Sequence, residues 1–269
     1  MSVENKVVII TGASGGIGSA LAKTFAEKKY RIVIAARDSN KLEDVRKKIE
    51  LLGCDVLSVI CDVSKEEDCK KLIEETVKRF EKIDVLINNA GISMRALFSN
   101  LELDVLRKVM DVNFWGTVYC TKYALPYLLK SRGSLVGISS IAGKKGLPGR
   151  TGYSASKFAM EGFLETIRTE NLKNHLHVLI ACPGFTATDI RLNALSEKGL
   201  PQTSSPRDET KMMSPEKVAN YIYKAVLNRK RDLTLTTNGK LTLWMNKFFP
   251  AFMDKMVYNH MAKEKDSPF

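Results

Sequence analysis

Two kinds of apolar pattern alternate along most of the chain. Short blocks rich in Val and Ile stand at 6–10, 31–36, 55–60, 83–87, 134–139, 177–181 and 232–236. They are the length of strands, and turn residues bound them. Between them lie longer stretches in which apolar residues recur every three or four positions. These predict helices from the first glycine run through Lys29, over 40–52 and 65–82, from beyond Asn100 to Asn113, over 151–173, and from Ser214 onward. Ser214 is placed to cap that last helix, with Pro215 in its first turn. Strand and helix in strict alternation predict an α/β fold: one doubly wound domain whose seven-stranded parallel sheet has helices on both faces.

The pattern lapses twice. Residues 189–213 gather Ser, Pro, Gly and charge without a period, and a loop of that length in a compact domain is functional or mobile. Residues 240–269 form a C-terminal extension beyond a domain at 1–239. Leu241, Leu243, Trp244, Phe248, Phe249, Phe252, Met253, Met256, Val257 and Met261 make it apolar, and lysines fringe it. Pro250 is expected to break or kink any helix there. Two readings stand for this tail: a helical cover over a pocket or a partner subunit, or a peripheral membrane anchor with lysines on anionic headgroups. Either implies a lipophilic substrate.

Composition narrows the class. The 269 residues are 44% hydrophobic and 27% charged, as in ordinary soluble proteins. The opening MSVENKVVIITG is too charged and too short in its apolar run to predict a signal peptide or spanning segment. Five cysteines without a C-x-x-C pair, and three histidines without ligand company, predict reduced thiols, a cytoplasmic protein and no metal. A net charge of +12 and a pI near 9.4 favour anionic partners. The lysines are spread over helix faces, so nucleic acid is not predicted.

The first chemistry sits where strand 6–10 meets its helix, in Thr11-Gly12-Ala13-Ser14-Gly15-Gly16-Ile17-Gly18. Glycines let backbone approach a pyrophosphate, and a helix N-terminus offers it unpaired N–H groups and positive dipole. The second lies in SSIAGKKGLPGRTGYSASK. Tyr153 and Lys157, four apart, share a helix face, so the ammonium is expected to reach the phenol and draw down its pKa. Ser140, at a strand end, brings a hydroxyl to the same place. Such a trio can protonate a carbonyl oxygen or deprotonate an alcohol.

The spacing T-G-x-x-x-G-x-G, the N-N-A-G at 88–91, the Y-x-x-x-K pair and the P-G turn at 183–184 stand in the order found in short-chain dehydrogenases/reductases. Over residues 7–188 the chain resembles that family. The resemblance implies a Rossmann-type fold, a nicotinamide cofactor, and Asn113, Ser140, Tyr153 and Lys157 as catalytic residues. Asn113 would hold, by its carbonyl or its amide, a water that relays protons to Lys157. Cofactor contacts would come from Gly12, Ser14, Gly15, Gly16, Ile17, Gly18, Asp62, Val63, Asn89, Ala90, Gly91, Tyr153, Lys157, Pro183, Gly184, Thr186 and Thr188, and residues 189–213 would form the substrate lid.

Arg37 ends the second strand, where it can pair with a 2′-phosphate, and Ala36 replaces the acid typical of NAD-preferring members. NADP(H) is therefore favoured, while Asp38 next door and the glycine at position 15 keep NAD(H) open. The resemblance also implies a homodimer or homotetramer built on the helices carrying Asn113 and Tyr153. The predicted activity is interconversion of a carbonyl and an alcohol on a small, lipophilic molecule; the alternative is a catalytically silent NADP-binding sensor or membrane-associated scaffold.

Overall fold

The computed structural model describes residues 5–269. Seven parallel strands run β1 (Val7–Thr11), β2 (Arg31–Ala36), β3 (Val56–Ile60), β4 (Val85–Asn88), β5 (Ser134–Ile138), β6 (His177–Cys182) and β7 (Asp232–Thr234), in the spatial order β3-β2-β1-β4-β5-β6-β7. Every residue of β1, β4, β5 and β6 is buried. Burial on both faces is why these strands read as unbroken apolar runs rather than alternating ones.

Two apolar layers flank the sheet. On one side α1 (Gly16–Ala26), α2 (Ser39–Glu50) and α7 (Pro215–Leu227) cover Val8, Ile10, Ile32 and Ile34. On the other, α3 (Glu66–Phe80), α5 (Gly116–Ser131) and α6 (Thr151–Glu170) cover Val7, Ile9, Val33 and Leu86. Alternate residues of one strand thus anchor opposite layers.

The order reverses between β1 and β4, where Ile10 pairs with Ile34 on one side and Ile87 on the other. Turns leaving adjacent strands in opposite directions open a crevice at their carboxyl ends, and that crevice is where ligands bind in such sheets. Here it lies between the glycine turn after β1 and the N-N-A-G turn after β4.

Two stretches differ in detail from the sequence reading, and the tail parts where that reading expects it to. The helix expected to reach Asn113 is α4 (Leu103–Met110), followed by a π-helical turn, Asp111–Trp115, that leads into α5. The helix carrying Tyr153 stops at Glu170, and a short 3₁₀ turn follows, Leu172–Asn174. The extension forms α8 (Thr237–Phe248) and α9 (Pro250–Ala262), parted at Pro250 as its missing N–H demands. Only Met253 and Met261 of α9 are buried, so this helix rests lightly on the domain.

Candidate active site

The turn after β1 is fastened to the turn after β4. The Thr11 hydroxyl accepts the N–H groups of Asn89 (3.0 Å) and Ala90 (3.1 Å), and the Asn89 amide donates to the carbonyls of Thr11 (2.9 Å) and Gly12 (3.1 Å). Two glycines are needed for this closeness. A Cβ on Gly12, which has φ +64°, would stand 2.7 Å from Ala90 Cα, and one on Gly18 would stand 2.2 Å from the Gly12 carbonyl oxygen.

Beyond that contact, α1 begins without a side-chain cap. Its N-cap, Gly15, is extended and exposed, with open space where a side chain would project. The first-turn N–H groups therefore face the crevice without a side-chain partner, which suits a phosphate. Thr188 leans over the same turn, its methyl 3.0 Å from where a Gly16 Cβ would be. Ser14 and Ile17 are half-buried beside it. Thr186 is buried, its hydroxyl on the Gly184 carbonyl (3.1 Å) behind Pro183. These residues fit a dinucleotide.

Arg37 stands exposed at the end of β2 and has no hydrogen-bond or ion-pair partner among the described residues. Asp38 is committed elsewhere: its carboxylate caps α2 by accepting the Lys41 N–H (3.0 Å). After β3, the Asp62 carboxylate accepts from the Ser64 N–H and hydroxyl (3.1 and 2.7 Å), and Val63 packs where any side chain on Gly116 would collide with it.

Ser140 and Tyr153 come together. Ser140 leaves the end of β5 beside the Tyr153 phenol, near enough for its hydroxyl to act on it, and its oxygen accepts the Ala142 N–H at 3.2 Å. Burial raises the phenol pKa, against the lowering influence of the Ser140 hydroxyl and of Arg191 and Arg150.

Lys157 departs from the expected arrangement. Its Nζ lies 5.9 Å from the centre of the Tyr153 ring and donates to the Ile138 carbonyl at 2.9 Å. Burial depresses its pKa to about 8, opposed by Cys182 and Glu161. A partly neutralised ammonium held on β5 does not pull the phenol down; burial decides both groups and pushes both towards neutrality.

Asn113 is fully buried in the π-helical turn. Its Oδ1 accepts the Ile92 N–H (2.8 Å), and its Nδ2 donates to the Ile92 carbonyl (2.9 Å) and the Ser156 hydroxyl (2.9 Å). The side-chain amide is thus occupied by protein, and of the two water-holding groups expected from sequence only the main-chain carbonyl stands; it accepts the Thr117 hydroxyl at 2.9 Å. A Cβ on Gly91 would sit 3.2 Å from Asn113 Oδ1 and 3.4 Å from Lys157 Nζ, which brings the N-N-A-G turn to the catalytic trio.

A model of the short chain dehydrogenase family matches residues 6–199. The chain belongs to the short-chain dehydrogenases. It is 35% identical over 259 residues to 11-beta-hydroxysteroid dehydrogenase A of Sesamum indicum, covering 94% of this chain and 74% of that one. An alcohol dehydrogenase of the archaeon Thermococcus sibiricus, solved with 5-hydroxy-NADP, superposes with a TM-score of 0.77 at 25% identity, covering 86% of this chain and 96% of that one. A short-chain dehydrogenase/reductase of Burkholderia phymatum, solved with NAD, superposes with 0.84 at 23% identity, covering 94% and 96%. This short-chain dehydrogenase is accordingly a nucleotide-binding oxidoreductase acting between carbonyl and alcohol.

Sequence reasoning missed several groups around its site. Glu161, two turns beyond Tyr153, is buried; it accepts the Ser139 hydroxyl at 2.5 Å and pairs with Lys144 at 2.8 Å. Arg191 binds Glu209 at 2.7 Å and so ties together the two ends of the 189–213 segment. Leu195 of that segment packs with Met94, Val105 and Tyr153. A cavity of about 920 Å³ lies between the 145–158 stretch and α9, lined by Leu147, Pro148, Phe158, Val257 and Tyr258 among others. Nothing in the sequence pattern joins residues so far apart.

Proposed function

We propose that this short-chain dehydrogenase transfers hydride between NADP(H) and a lipophilic ketone or aldehyde, with Tyr153 as general acid and base. The observation that carries the reading is the convergence of Ser140 and Lys157 on the buried Tyr153, Ser140 beside the phenol and Lys157 one helical turn behind, 5.9 Å from the ring centre. The nicotinamide supplies or accepts the hydride. Tyr153 gives its proton to the nascent alkoxide, and Ser140 donates a hydrogen bond to the same oxygen. Lys157 holds the ribose and, through water at the Asn113 carbonyl, returns a proton to the phenol.

Gly12 to Gly18 hold the pyrophosphate, Asp62 and Val63 the adenine, Asn89 to Gly91 and Pro183 to Thr188 the nicotinamide side. The preference for NADP(H) rests on Arg37, whose guanidinium has no partner among the described residues, beside an Asp38 already committed to α2. The two solved relatives hold 5-hydroxy-NADP and NAD, so the family accommodates both forms.

The lipophilic assignment is supported by the hydroxysteroid dehydrogenase likeness and by the apolar side chains α8 and α9 expose: Leu241, Trp244, Phe248 and Phe252. Among the described residues no helix is long and apolar enough to cross a membrane. Peripheral contact of a cytoplasmic protein through this tail is part of the proposal, as is a homodimer or homotetramer built on the helices that expose Trp115 and Phe158. NADPH oxidation against ketones and aldehydes of graded chain length, with and without residues 240–269, tests the assignment. Turnover that rises with apolar length and falls without the tail supports it; indifference to both contradicts it.

A further inference from the structure

Three arginines from three separate walls of the site meet on one carboxylate. Arg95 follows β4, Arg150 immediately precedes α6, and Arg207 lies in the 189–213 segment. Arg150 Nη2 is 3.0 Å and Arg95 Nε 3.5 Å from Glu264 Oε2, and Arg207 Nε is 2.8 Å from Glu264 Oε1. The cluster is buried: side-chain exposure is 8% for Arg95, 11% for Arg150, 16% for Arg207 and 5% for Glu264. Arg95 Nε makes no hydrogen bond, although Arg95 Nη2 donates to the Lys265 carbonyl (2.6 Å). Arg207 also stacks on Phe185, 4.0 Å from its ring centre, and faces His260.

Two properties make this more than a structural ion pair. Three guanidinium charges share one carboxylate in a place largely closed to water, and among the described residues Glu264 is the one ion-pair partner of all three; buried cations are favourable only where anions and hydrogen bonds match them. And the carboxylate comes from the turn after α9, the helix that buries only Met253 and Met261. The cations stand on the body of the site, whereas the anion arrives on the turn after a helix that buries only two side chains. Arg150 lies one helical turn before Tyr153, near enough to act on its phenol.

We infer that the Arg95, Arg150 and Arg207 cluster is an anion-binding subsite of the substrate pocket, filled in the free protein by Glu264 and taken over by the carboxylate or phosphate of an amphiphilic substrate. Bidentate guanidinium forks suit both headgroups. The apolar part of the molecule lies along α9, and the displaced turn frees the mouth of the site. This rests on the proposed function only in calling the ligand a substrate; the binding itself does not require turnover.

The test measures calorimetric affinity of the full chain for decanoate, decyl phosphate and decanol, together with backbone hydrogen exchange over 250–269. The inference predicts that both anions bind, that decanol binds at least about tenfold more weakly, and that exchange over 250–269 quickens when an anion is present. Arg95→Gln and Arg207→Gln each lower anion affinity about tenfold, while Glu264→Gln, which removes the internal competitor, raises it about fivefold or more.

Should Glu264→Gln unfold, the exchange and affinity data on the unaltered chain still decide. Equal affinity for decanol and decanoate, or unchanged exchange over 250–269, overturns the inference and makes Glu264 a permanent latch. Preference for decanoate or decyl phosphate identifies the headgroup. Tyr153→Phe, which abolishes turnover under the proposed function, leaves anion affinity intact, so failure of one idea is visible apart from the other.

Discussion

Asn113 satisfies both main-chain groups of Ile92, accepting its N–H at 2.8 Å and donating to its carbonyl at 2.9 Å. One side chain thereby fixes the backbone directly after the N-N-A-G turn, close to Lys157. Asn113→Ala leaves two buried polar groups without partners, at about 1–3 kcal/mol each. The expected result is a loss of about 2 kcal/mol or more in denaturant unfolding, with weaker cofactor binding. Asn113→Asp, which loses the donor to Ile92, is expected to behave almost as badly.

The protonation state of the site gives a pH signature. Burial raises the Tyr153 phenol, so it remains protonated across neutral pH. Reductive kcat/KM is expected to hold level there and fall only at high pH, while the oxidative direction, which needs the phenolate, rises with pH. Lys157 works in the opposite sense on stability. Its folded pKa of about 8 lies below the ordinary lysine value near 10.4, so its contribution is fully present above the latter and lost as pH falls through about 8. Lys157→Met is expected to remove that slope from a plot of unfolding free energy against pH.

The proposed function makes Arg37 the residue that sets cofactor choice. With no partner for its guanidinium among the described residues and with Asp38 capping α2, Arg37→Asp is expected to shift the NADPH/NADH ratio of kcat/KM towards NADH by about tenfold or more. Asp38→Ser keeps a capping hydroxyl and is expected to leave the ratio nearly unchanged. Initial rates with both cofactors measure this directly.

Glu161 supports the site from below. Removing its charge leaves Lys144 without its partner and Ser139, next to Ser140, without its acceptor. Glu161→Leu is expected to cost about 3 kcal/mol or more, the scale of breaking a buried pair from one side. Lys144→Met with Glu161→Leu is expected to regain much of that loss, as a double-mutant cycle in urea will measure.

The parts legible in the sequence share a local cause. Strands buried on both faces must be short runs of Val and Ile, and the approach of Gly12 to Ala90 admits only glycine. Tyr153, Lys157 and Ser140 were visible because helix spacing and a strand end place them together. What stayed hidden is set by contacts distant in the chain. The π-helical turn at Asn113 is held by Ile92 and Ser156, 21 and 43 residues away, and helical periodicity cannot register it. Lys157 turned out to bind the Ile138 carbonyl because β5 runs behind α6, a tertiary fact that outweighs the i, i+4 spacing. Nothing in the sequence pattern joins Arg95, Arg150, Arg207 and Glu264, which lie far apart along the chain, and only the fold reveals that they are buried together.

In the proposed mechanism the Tyr153 phenol moves the proton. The most direct test is NADPH oxidation by the unaltered chain and by Tyr153→Phe, on the best carbonyl from a graded-length panel, with cofactor affinity measured on both. The account predicts a fall in kcat of about a hundredfold or more with NADPH affinity little changed. A Tyr153→Phe protein that turns over within a few-fold of the unaltered chain would contradict it.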